Sequence, residues 1–126
     1  SAHRVRKSVG GERTFSEDIS SGPALRETLD NIIDIVWDSI ERSEAKGRTV
    51  TLKMKYSDFQ NVTRAKTVDR PVADKQEFAR ISRALLDELL PLPLPIRLMG
   101  LTLSKLEGES GAKQAAPRDD AQLSLL

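Results

Sequence analysis

The chain has 126 residues, room for one domain and a tail. It has no cysteine, which excludes disulfides, thiolate metal sites and thiol catalysis and fits a reducing, cytoplasmic setting. No apolar run approaches the roughly 18 residues of a membrane span, so no membrane partner is expected, and the formal net charge of +1 conceals a strong internal asymmetry. The only histidine, His3, stands near the N-terminus without companions, so no metal site is expected. The first residue is Ser1 rather than Met, inside a basic segment, as in a piece excised from a longer chain.

Residues 5–15 form the first predicted strand, with Gly10 and Gly11 interrupting its alternation as a bulge or a close backbone approach does. Residues 24–46 carry a helical stripe of Leu25, Leu29, Ile32, Ile33, Val36 and Ile40. Ser21 and Pro23 mark its start and Gly47 its stop. Residues 48–56 alternate as a strand, with Val50, Leu52, Met54 and Tyr56 on one side and Thr49, Thr51, Lys53 and Lys55 on the other. Residues 60–70 are a third strand, placing Arg64 and Lys66 on one face and Thr63, Ala65 and Thr67 on the other. Residues 74–90 are a second helix with Phe78, Ile81, Leu85 and Leu89 on its stripe, and Asp74 with Glu77 resembles a capping box. Pro91, Pro93 and Pro95 end it. Residues 96–106 are the last strand, with Met99, Leu101 and Leu103 opposite Gly100, Thr102 and Ser104. The order β-α-β-β-α-β predicts an α+β fold, a four-stranded sheet with two helices on one face and the other face open to a partner.

Charge sorts by element. The strand segments 1–15, 48–71 and 96–106 hold 12 Lys/Arg against 3 Asp/Glu, whereas residues 16–47 hold 3 against 8. A basic sheet side backed by an acidic helix side suits a polyanion lying across the sheet. Small hydroxyls (Ser8, Thr49, Thr51, Thr63, Thr67, Thr102 and Ser104) mix there with Lys7, Lys53, Lys55, Arg64 and Lys66. Hydroxyls, backbone amides and cations bind phosphate oxygens and read little base identity. The chain has five aromatic residues, with Trp37 and Phe78 on helices, too few on the sheet for base stacking. Contact with a duplex backbone, indifferent to sequence, is the expectation. Asp30, Asp34, Asp38 and Glu41 cluster on the first helix, but at the spacing of an exposed helical face with no basic partner evident, so they are expected to be solvated and no catalytic residue is assigned.

The last five residues, Gln122, Leu123, Ser124, Leu125 and Leu126, follow a polar stretch and have no local core to join. A glutamine ahead of spaced leucines at a free end is shaped like a docking peptide: the amide can donate and accept at a pocket rim and the leucines can fill an apolar cleft. The linker 107–121 is read as flexible; a chain like Gly108–Ala121 typically spans about 20 Å.

Four motifs stand in order along the chain: Arg6-Lys7-Ser8-Val9-Gly10-Gly11-Glu12-Arg13-Thr14-Phe15, Arg48-Thr49-Val50-Thr51-Leu52-Lys53-Met54-Lys55-Tyr56-Ser57-Asp58-Phe59, Thr63-Arg64-Ala65-Lys66-Thr67 and Ile96-Arg97-Leu98-Met99-Gly100-Leu101. Together they resemble the Y-family (DinB-type) lesion-bypass DNA polymerases, in particular the bacterial DNA polymerase IV group. The first is similar to the segment joining thumb to little finger in that family, and the others to the second, third and fourth strands of the little finger. The resemblance implies a linker over 1–8, a little finger domain over 5–106 and a sliding-clamp-binding peptide over 122–126. It implies primer–template DNA as partner, with contacts from Lys7, Ser8, Gly10, Thr63, Arg64, Lys66, Thr67, Thr102 and Ser104; some family members carry a basic residue where Thr102 stands. The tail is similar to clamp ligands ending Gln-Leu-Ser/Asp-Leu-Phe, with Leu126 in place of the final Phe, which loses contact area. The resemblance further implies a cytoplasmic, nucleoid-associated protein, a fragment monomeric on its own and without cofactor, and a parent polymerase whose missing palm binds Mg. Two other classes fit the bare pattern: a free-standing ferredoxin-like RNA-binding module and a protein-interaction domain.

Overall fold

The computed structural model describes residues 8–106 of the chain. Its elements are β1 (Ser8–Ile19), α1 (Gly22–Ser43), β2 (Thr49–Tyr56), β3 (Asn61–Thr67), α2 (Lys75–Leu89) and β4 (Ile96–Ser104). This is the expected β-α-β-β-α-β order. The strands form one sheet in the order β1-β4-β2-β3, with each neighbouring pair antiparallel. β1 and β2 therefore run parallel with β4 between them, and β3 and β4 run parallel with β2 between them. Each such pair needs a crossover rather than a hairpin, and a helix supplies it.

The apolar stripes decide where the helices go. All six predicted α1 residues, from Leu25 to Ile40, are buried. In α2, Phe78, Ile81, Leu85 and Leu89 are joined by Ala79, Ser82 and Leu86. They meet Val50, Leu52, Met54, Met99, Leu101 and Leu103, each at most 1% exposed. α1 lies over β1 and β4, α2 over β2 and β3, and the Trp37 and Phe78 rings meet between the helices at 5.6 Å. Each buried aliphatic contributes about 1.5–3 kcal/mol, against about 1 kcal/mol for a helix cap, so packing rather than capping holds the helices down.

The helix ends show local chemistry in detail. Ser21 Oγ accepts from the Ala24 amide at 3.2 Å, with Pro23 in the first turn, as expected. The predicted stop at Gly47 is corrected: α1 ends at Ser43, and Glu44 takes the left-handed cap (φ 56°). Gly47 serves a different need. A Cβ there would lie 2.7 Å from the Ser104 carbonyl oxygen and 2.8 Å from Leu103 and Leu106 side chains, so a glycine lets the chain pass close to the end of β4. At α2, Asp74 Oδ1 accepts from the Glu77 amide at 2.8 Å. The return bond from Glu77 goes to the Ala73 amide, one residue earlier than in a capping box.

β1 continues to Ile19, beyond the predicted end at residue 15, because Phe15 and Ile19 still pack against the core. Its register with β4 is unbroken from Ser8 to Thr14, and the irregularity falls between Thr14 and Ile19, not at the glycines. Gly10 and Gly11 answer to close approach instead: a Cβ on Gly10 would stand 2.5 Å from the Leu101 carbonyl oxygen. That neighbour is backbone and cannot step aside. Gly10→Ala is therefore expected to destabilise the domain by about 1–3 kcal/mol, measured by urea unfolding. An unchanged midpoint would refute the close-approach explanation.

Candidate nucleic-acid interface

The period of two along each strand and the antiparallel register together set the composition of the open face. Residues directly opposite in the ladders share a side, and they form four rows running β1, β4, β2, β3. The first is Ser8, Ser104, Thr49, Thr67; the second Gly10, Thr102, Thr51, Ala65. The third is Glu12, Gly100, Lys53, Thr63; the fourth Thr14, Leu98, Lys55, Asn61. The intervening residues, such as Val9, Val50, Leu52, Met99 and Leu101, point to the helices and are buried. Half of the grid is Ser or Thr. These side chains are short, so a ligand on this face comes near the sheet backbone. Thr49 and Thr67 tie their hydroxyls together at 2.8 Å.

Of the residues nominated from sequence, Ser8, Gly10, Thr63, Thr67, Thr102 and Ser104 share this face. Arg64 and Lys66 do not. They stand opposite Leu52 and Val50, on the helix side of the edge strand β3. Arg64 Nε lies 3.7 Å from Glu88 of α2, and its Nη1 donates to the Thr63 carbonyl at 2.8 Å. Grouping them with the outward hydroxyls is therefore corrected: a shift of one residue along a strand changes face, although both side chains remain exposed along the border. Thr14, Asn61 and Glu12 join the face, and counting alternation forward from Ser8 would have found the two on β1. Lys7, His3, the linker 107–121 and Gln122–Leu126 lie outside the described residues.

The basic character is consequently peripheral. The grid carries Lys53 and Lys55 with one acid, Glu12, whose Oε1 lies 3.8 Å from Lys53 Nζ. Arg13 pairs opposite Met99 on the helix side, and Arg48 reaches the Val68 carbonyl. The central strands β4 and β2 put no aromatic on the open face, which removes the stacking surface that the RNA-binding alternative requires.

On the acidic side of α1 the expected lack of basic partners is corrected, although the paired side chains are solvent-exposed as expected. Asp30 takes Arg83 at 2.9 Å and Asp34 takes Lys75 at 2.6 Å, both from α2, while Asp38 takes Arg42 at 2.9 Å. The partners of Asp30 and Asp34 come from the other helix, so spacing along α1 could not reveal them, whereas Arg42 stands four residues after Asp38 on α1 itself and is legible there. These pairs are about half exposed or more and contribute at most about 1 kcal/mol each. Among the described residues no cluster of three or more His, Cys, Asp or Glu could hold a metal ion, and no helix is long and apolar enough to cross a membrane.

At one end of the grid the β2–β3 hairpin turns through Ser57–Gln60. The Phe59 amide donates to the Tyr56 carbonyl at 2.9 Å, and the Tyr56 amide to the Gln60 carbonyl at 2.8 Å. Phe59 sits in the left-handed region (φ 73°), where a glycine is usual, and is 63% exposed. The Arg97 guanidinium lies 4.3 Å from its ring centroid. The left-handed conformation costs about 1–2 kcal/mol and an exposed cation–π contact returns about 0.5–1 kcal/mol. Phe59→Gly should therefore leave stability unchanged or raise it by about 1 kcal/mol in thermal unfolding; a clear loss would mean that the ring packs better than its exposure shows.

Among solved structures, a Y-family DNA polymerase chimera superposes with a TM-score of 0.72 at 17% identity, over 82% of this chain and 30% of that one, a likeness of fold. A structure described as the complex of the β-clamp processivity factor and the little finger domain of PolIV matches at a TM-score of 0.57 and 25% identity, over 94% of this chain and 97% of that one. The sequence carries the assignment further: residues 6–125 match the impB/mucB/samB family C-terminal domain, and the chain belongs to that family. It is similar to the DNA polymerase IV of Gluconobacter oxydans (strain 621H), 36% identical over 121 residues, which is 96% of this chain and 33% of that protein. The chain thus spans about a third of the curated relative and corresponds to the little finger domain of a Y-family DNA polymerase IV.

Proposed function

We propose that this domain grips the sugar–phosphate backbone of primer–template DNA with its open sheet face, and that the tail Gln122–Leu126 tethers it to a sliding clamp. The observation that carries the first half is the grid of hydroxyls and glycines around Thr51 and Thr102. Short donors on a flat face let phosphates approach the sheet, and Lys53 and Lys55, bordered by Arg64 and Lys66, supply attraction without base readout. The second half is supported by the docking-peptide pattern of the tail and by the likeness to a little finger domain that was solved with a β-clamp. In this reading the domain itself is non-catalytic. Nucleotidyl transfer, with Mg ions held by carboxylates, belongs to the palm of a longer cytoplasmic polymerase, and the little finger, monomeric by itself, keeps that palm on damaged template. The tether raises the effective concentration of a weak grip.

Binding of the domain to a primer–template duplex, followed by fluorescence anisotropy against salt, tests the grip. Affinity should fall steeply with salt and vary little with sequence. Thr102→Glu, which puts a negative charge at the centre of the face, should weaken binding at low salt by about tenfold or more, whereas Arg64→Ala or Lys66→Ala at the border should cost less and flatten the salt slope. Equal binding by wild type and Thr102→Glu would move the contact off the sheet. Deleting residues 122–126 should abolish capture by an immobilised sliding clamp while DNA affinity stays within about twofold. Retained capture would shift the clamp contact to the folded surface.

A further inference from the structure

Glu12 is out of character with its surroundings. It occupies the third row of the grid and is the only acid among the sixteen described positions of the four rows. Between Glu12 on β1 and Lys53 on β2 stands Gly100 of the intervening strand β4. A Cβ at Gly100 would lie 2.9 Å from Glu12 Cβ and 3.3 Å from the Gly11 carbonyl oxygen. With no side chain there, Glu12 and Lys53 reach across a whole strand, and Oε1 comes within 3.8 Å of Nζ.

Folding does not explain the pair. The side chains are 56% and 46% exposed, and an ion pair that wet contributes little stability. Its electrostatic effect on a ligand is another matter. The carboxylate cancels one of the two lysines of the face, and it lies within a Debye length of about 10 Å of a phosphate seated near Gly100 and Lys53 in the third row, because β1 and β2 are only two strand spacings of about 4.8 Å apart.

We propose that Glu12 is an electrostatic restraint on the sheet: it holds Lys53 in an intramolecular pair and sets DNA affinity below what the same face would otherwise deliver. The inference rests on the DNA-binding reading above and adds to it a residue that tunes grip strength. A face meant to release its duplex after each short encounter gains from such a restraint, because the tether rather than the grip maintains attachment.

The experiment is a salt-dependent anisotropy titration of primer–template DNA with the full chain as wild type, Glu12→Gln, Lys53→Gln and the double variant. Glu12→Gln keeps the shape over Gly100 and removes the charge. It should bind about threefold to tenfold tighter at low salt, and its log–log salt slope should steepen by about 0.9 as Lys53 takes up a phosphate. Lys53→Gln should weaken binding more in the Glu12→Gln background than in the wild type. A merely structural Glu12 would move neither the slope nor this coupling. Should Glu12→Gln fold poorly by circular dichroism, Glu12→Thr, a residue already abundant on the face, should show the same gain. Wild-type binding with unchanged affinity and slope in the Glu12 variants would overturn the restraint alone; no binding by any variant at low salt would overturn the DNA-binding reading with it.

Discussion

Everything on this domain depends on the pairing of β4 between β1 and β2. That one strand is buried on both edges, and its register with its two neighbours fixes which residue of each strand faces the helices. The alternation has a period of two, so a slip by one would bring Thr51, Lys53 and Thr102 into the core and expose Leu52, Met54 and Leu101. The cost of that inversion, many buried aliphatics at about 1.5–3 kcal/mol each, is what locks the hydroxyl grid outward. The open face is thus a by-product of core packing, and the glycines at 10, 47 and 100 permit the close approaches that this register demands.

The electrostatics follow from the same constraint and differ from what segment charge alone implies. The strand segments are strongly basic, yet the open face is nearly neutral, because Arg13, Arg64 and Lys66 fall on the helix side of the alternation. Arg64 and Lys66 line the border, while Lys53 and Lys55 stand among the hydroxyls of the face. A surface of that kind suits a ligand with a wide, evenly charged outline, held by many weak contacts, better than one recognised at a few deep points. The acidic side of the molecule is occupied differently: Asp30 and Asp34 of α1 are engaged by Arg83 and Lys75 of α2, so those carboxylates link the two helices.

The likeness of fold to the Y-family polymerase chimera, at a TM-score of 0.72, outlasts the likeness in sequence, which is 17% identity. That pattern is expected when a fold rests on stripe positions and register, which tolerate exchange among aliphatics. The outward grid is under no packing demand, so its composition is not constrained by the core. Phe59 fits the same division: it caps a hairpin in a conformation that costs energy, and no core contact accounts for it.

The sequence by itself determined the element order, both apolar helix stripes, the Ser21 and Asp74 caps and the small-hydroxyl character of the strands. Each of these is local, written in periods of 3.6 or 2 and in the chemistry of the first helical turn. Only the tertiary structure decided the rest. The strand order β1-β4-β2-β3 brings Glu12 next to Lys53, the ladder register parts Arg64 and Lys66 from the threonines beside them, and helix packing gives Asp30 and Asp34 their partners. Gly47 shows the limit most plainly. From the chain it reads as a helix stop, but its reason is Ser104, which is remote in sequence and adjacent only once β4 has inserted into the sheet.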